Sequence, residues 1–186
     1  MRGAHPERGI PYFLLSVFIM LERVNLNYFN LQKMMVIVMM ICLTVILFSY
    51  FSDYRSKARD VKRKADLQIL MQALDIYHDR HGVYPQSDDD YKGWDLSYVG
   101  GKERVFLPAL EKEGIIDRGV LDPLNNDKTF YRYQKFTKGG YGCSKPFYIL
   151  QIMSFETLTS DKGMGKCKDF DWTKLAPYGY TLQGYD

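Results

Sequence analysis

The sequence predicts an α+β protein, a long N-terminal helix packed on a small antiparallel sheet. Three observations predict it. Met34 to Phe51 carries no charge, and helix formers then continue without Pro or Gly as far as Gly82. Beyond Pro85 the pattern changes to short, aromatic-rich segments separated by Gly, Pro, Asn and Asp.

The uncharged run reads MMVIVMMICLTVILFSYF. At 1.5 Å per residue it covers roughly 27 Å, enough for a bilayer core, so residues 34–51 are assigned as a transmembrane helix. Residues 1–33 form a separate N-terminal segment whose apolar stretch, Ile10 to Leu21, is too short to span. It reads as a leader, an interfacial segment, or sequence upstream of a start at Met34 or Met35.

Residues 52–82 continue the helix beyond the membrane. Leu67, Leu70, Leu74 and Tyr77, with Ile69, Ala73 and Ile76 around the side, make an apolar face that should pack on the rest of the domain. Gln68, Gln72, Asp75 and Asp79 fall on a narrow polar stripe. Gly82 suits a helix cap, His78, Arg80 and His81 fill the last turn, and Pro85 forbids resumption. The helix is expected from about Met34 to His81, roughly 72 Å.

Residues 83–186 supply the small globular domain. Residues 87–101 read as loop, Val105 to Glu113 as a short helix stopped at Gly114, and Asp122-Pro123-Leu124-Asn125-Asn126 as a turn. Thr129 to Phe136 alternates as a strand, and Lys138-Gly139-Gly140 turns the chain. Phe147 to Phe155 is apolar on both faces and should be central. Residues 156–177 read as loop, and Tyr178 to Leu182 as an edge strand.

The formal charge is only +3, and much of it is concentrated in Arg55, Lys57, Arg59, Lys62, Arg63 and Lys64. That distribution argues against a nucleic-acid partner; the many tyrosines are better explained by a half-buried sheet. Positive charge beside a span marks the cytoplasmic side. The cysteines point the other way. Cys42 lies in the span, but Cys143 and Cys167 lie in the polar region, either bridged in an oxidising compartment, worth ~3.5 kcal/mol, or two separate thiols.

No phosphate loop, zinc spacing or nucleophile motif is present, so no enzyme and no cofactor is expected. His78 and His81, near Asp75 and Asp79, read as charge at a helix end rather than a metal site. The 159–171 loop holds Asp161, Asp169 and Asp171 among glycines, which is oxygen-rich enough to consider calcium. The spacing is not that of an EF-hand, and a solvated loop is the simpler reading.

The segment KARDVKRKADLQILMQALDIYHDRHGVYP, Lys57 to Pro85, resembles the type IV pilin and type II secretion pseudopilin family. The matching residues are Arg63-Lys64-Ala65-Asp66-Leu67, Ala73-Leu74, Tyr77 and Gly82-Val83-Tyr84-Pro85. Asp122-Pro123 followed by Tyr131-Arg132-Tyr133 looks like the family's turn into an aromatic strand, and Cys143 to Tyr148 fits its disulfide-bearing sheet. The resemblance implies a single-pass subunit of a bacterial cytoplasmic membrane with its domain outside. Its partners would be the lipid bilayer and copies of itself or other pilin-like subunits, met through the N-terminal helix. Its role would be to build or initiate a type IV pilus or secretion-type filament. The chain departs from the family where the span begins: Leu31-Gln32-Lys33 precedes it with no Gly at the junction, and the span carries no Glu. That departure favours the alternative of a stand-alone, membrane-anchored binding module outside the cytoplasm.

Overall fold

A computed structural model describes residues 31–88, 90–117 and 120–185; the expectations for residues 1–30 lie outside them. The chain divides into two units, broken between Tyr50 and Phe51. In the first unit the N-terminal part of helix α1 (Leu31–His81) exposes nearly every apolar side chain from Met34 to Tyr50. This helix is long and apolar enough to cross a membrane.

The second unit is α+β. The C-terminal half of α1 lies on one face of a four-stranded antiparallel sheet made of β1 (Asp95–Leu96), β4 (Tyr131–Phe136), β5 (Phe147–Ile152) and β6 (Tyr180–Tyr185), in the order β1-β4-β5-β6. A two-stranded ribbon, β2 (Tyr98–Val99) with β3 (Lys102–Glu103), and a one-turn helix α2 (Pro108–Lys112) complete it.

Strand alternation distributes the core. Register pairs Tyr131 with Ile152, Tyr133 with Leu150, and Leu150 with Leu182. These residues pack with Leu67, Leu70, Ala73 and Leu74 of α1. Each leucine fully withdrawn from water contributes about 1.5–3 kcal/mol. The opposite face of β5 carries Phe147, Ile149 and Gln151 under a second cluster containing Trp94, Phe136 and Trp172. Every residue of β5 is therefore buried. Gln151 is satisfied there: its amide donates to Trp172 O and Thr181 Oγ1, and its oxygen accepts from Arg132 Nε.

Gly82 ends α1 with φ 71°, its N–H donating to His78 O at 2.7 Å. Several boundaries differ from the sequence reading. The short helix starts at Pro108 rather than Val105, because Leu107 sits in the left-handed region (φ 54°) and breaks the backbone pattern. β1 lies inside the expected loop; two residues are too few to display a period, and pairing with β4 defines the strand. The edge strand runs three residues further than expected, to Tyr185. Ile76, expected on the packing face, is 45% exposed, and Ile69 is 49% exposed. The sheet contacts a narrower arc of α1 than the apolar pattern covers. Tyr77, at the arc's edge, is half-buried and stacks on His81 at 4.3 Å.

Candidate functional site: a charged clamp on the helix

The row Leu67, Leu70, Leu74 and Tyr77 has a 3-4 spacing which, continued backwards, reaches Arg63 and Asp60. Both are buried, and the Arg63 side chain is fully enclosed. Its guanidinium donates from Nε and Nη2 to both carboxylate oxygens of Asp122, at 2.6 and 3.1 Å. Nη1 donates to Asp60 Oδ1 at 2.6 Å and to Glu156 Oε1 at 2.8 Å. The bidentate fork fixes direction as well as charge.

The acids are held in turn. Asp122 Oδ1 accepts the amides of Leu124 and Asn125, so the Asp122-Pro123 turn aims its carboxylate at the helix. Asp60 accepts the amides of Glu156 and Thr157 and the Thr157 hydroxyl. Glu156 also takes Arg59, through Nε at 2.7 Å and Nη2 at 2.5 Å. Next along α1, Lys62 pairs with Asp66, which accepts the Tyr131 hydroxyl at 2.8 Å. Lys64 meets Asp161 at 2.7 Å and lies 4.9 Å from the Tyr180 ring centre.

The electrostatics follow from this geometry. Burial alone would lower the Arg63 pKa, but Asp122, then Glu156 and Asp60, outweigh it and raise it. The hydrogen bond from Arg59 chiefly, opposed by burial and reinforced by Arg63, holds Glu156 down to about 2. Four of the six clustered cations, Arg59, Lys62, Arg63 and Lys64, are thus neutralised by acids of their own chain. Arg55 and Lys57 remain exposed.

The chain matches no protein-family model, no curated protein and no solved structure.

The other expected positions fall elsewhere. Cys143 and Cys167 are joined, with Cα atoms 5.0 Å apart. Leu67, Leu70, Ala73 and Leu74 form the helix side of the core. In the late loop, Asp161 serves Lys64 and the Gly163 amide, and Asp171 caps Thr173. Among the described residues no three His, Cys, Asp or Glu side chains are grouped to hold a metal ion. Sequence reasoning missed Asp122 and Glu156 as partners; Asp60, on the same helix, is an expected neighbour of the basic cluster. Only the extrapolated 3-4 row, which places a charge in a buried position, signals them.

Asp95 is the counterexample to the clamp. It is buried; one oxygen accepts the Leu107 amide at 3.0 Å, and the other has no partner among the described residues. Burial, assisted by Asp90 and Asp88 and opposed by the Leu107 amide and Arg104, pushes its carboxyl up from 3.8 to about 7. A raised acid favours the folded state below the unfolded pKa and loses that contribution as pH rises through the folded value. Thermal melts should therefore show a stability loss between pH 4 and 7 that Asp95→Asn flattens; an unchanged slope would show that the ionised carboxylate is tolerated.

Proposed function

We propose that this chain is a membrane-anchored, pilin-like subunit whose domain lies outside the cytoplasm and whose N-terminal helix packs with neighbouring copies in a pilus or secretion-type filament. One observation carries the reading. The basic cluster beside the span is mostly consumed by Asp66, Asp122, Glu156 and Asp161 of the same chain, so it is not free to mark the cytoplasmic leaflet. The Cys143–Cys167 bridge supports an oxidising compartment. Four hydrogen bonds from the Arg63 guanidinium to three acids give a rigid joint between helix and sheet domain, which suits a structural part.

The span with no acid in it favours a second reading, a stand-alone anchored binding module. Oxidative cross-linking separates the two. Single cysteines walked from Val38 to Ile46, in membranes of cells expressing the full chain, should give dimers at positions one helical turn apart. Monomer alone at every position would leave the stand-alone module.

A further inference from the structure

β6 is an edge strand, and only part of its edge is covered. Thr181 turns its N–H and C=O away from β5: the N–H donates to Lys162 O at 3.0 Å, and the C=O accepts from Met164 N at 2.9 Å. Alternation in an antiparallel ladder directs the same groups of Gln183 to the same side. Among the described residues no loop backbone group bonds the Gln183 N–H or C=O. Gly163 lets the covering loop lie directly against the strand at Thr181. Its φ is 71°, and a Cβ there would stand 2.0 Å from Thr181 O. Beyond it, Lys166 N reaches only the Gln183 side chain, at 2.7 Å.

A cleft of about 510 Å³ lies along this gap, lined by Lys162, Met164, Lys166, Asp171, Gln183 and Tyr185 among others. A second, of about 410 Å³, shares Lys166 and Tyr185 and adds Lys145 and Lys168. The acid in the first cleft, Asp171, is bound to the amide and hydroxyl of Thr173. Met164 is 79% exposed and Tyr185 48% exposed, so apolar contacts are offered between the lysines. Lysines on a flat edge discourage pairing. Here Lys162 and Lys166 line the cleft that Gln183 also lines, and Lys145 and Lys168 line the adjoining one.

We infer that the β6 edge at Gln183 takes an extended, acidic segment of a partner protein as an added strand, with carboxylates meeting Lys166 and its neighbours. This goes beyond the filament reading and does not depend on it.

The test uses the full chain in detergent and fluorescence anisotropy of a labelled hexapeptide alternating Glu and Val. Two further probes are its Lys–Val counterpart and a Glu–Val version N-methylated on alternate backbone nitrogens. The Glu–Val peptide should bind. Affinity should fall by about tenfold or more for each of the other peptides, and for the Glu–Val peptide against Lys166→Glu. No binding, or equal binding of the N-methylated peptide, which would reduce the contact to charge alone, overturns the inference.

Discussion

Replacing Arg63 with Met is expected to destabilise the second unit by about 3–5 kcal/mol, because the guanidinium is the shared partner of three acids and lies entirely out of water. Removing it leaves Asp122 fully enclosed, and Asp60 largely so, without that cation. Trp94 and Trp172 report on the core, so a fluorescence melt of the full chain in detergent should show a drop of about 10 °C or more. The loss should shrink as pH falls, since unpaired carboxylates can take up protons while paired ones cannot. Wild type should behave oppositely where Glu156 dominates: a depressed acid contributes above its ordinary pKa of 4.5 and loses that contribution as pH falls toward 2. Arg63→Met combined with Asp122→Asn should recover part of the loss, because a buried pair replaced at both ends costs less than one broken at a single end. A melt of Arg63→Met indistinguishable from wild type would mean the clamp holds nothing.

The second large effect is expected at the bridge. Cys143 and Cys167 are 24 positions apart and tie the start of β5 to the loop that carries Trp172. Constraining a loop of that length in the unfolded chain is worth ~3.5 kcal/mol in the chain-entropy model. Cys143→Ser with Cys167→Ser should therefore lower the melting point about as far as Arg63→Met, and adding reductant to wild type should reproduce the change. Gln183 donates to both sulfurs, at 3.4 and 3.5 Å, so the loss should be felt first at β6. The two effects should be nearly additive, because the clamp and the bridge share no residue.

The legible and the illegible parts of the fold separate for physical reasons. α1 and β4 are long enough to display a period, and β5 is readable as a short apolar run bounded by turn residues. β1 and the β2–β3 ribbon are two-residue strands, defined by what they pair with. Helical periodicity located the packing face of α1 but not its width, so Ile69 and Ile76 were expected inside and lie outside. The clamp was the hardest feature to read. Arg63 reads as one member of a basic cluster, because a cation is rarely buried without paired acids, and two of its three acids come from 59 and 93 positions away. Read with its partners, the basic cluster changes from a topology signal into an internal joint.

Membrane topology tests this internal joint most directly. Leu158 is 96% exposed, on the loop that begins at Glu156. A Leu158→Cys chain, with Cys42→Ala and the bridge left oxidised, can be treated in intact spheroplasts with a membrane-impermeant maleimide. With the domain outside the cytoplasm, labelling before lysis should equal labelling after it. Labelling that appears only once the membrane is broken would put the domain in the cytoplasm and return the basic cluster to the inner leaflet.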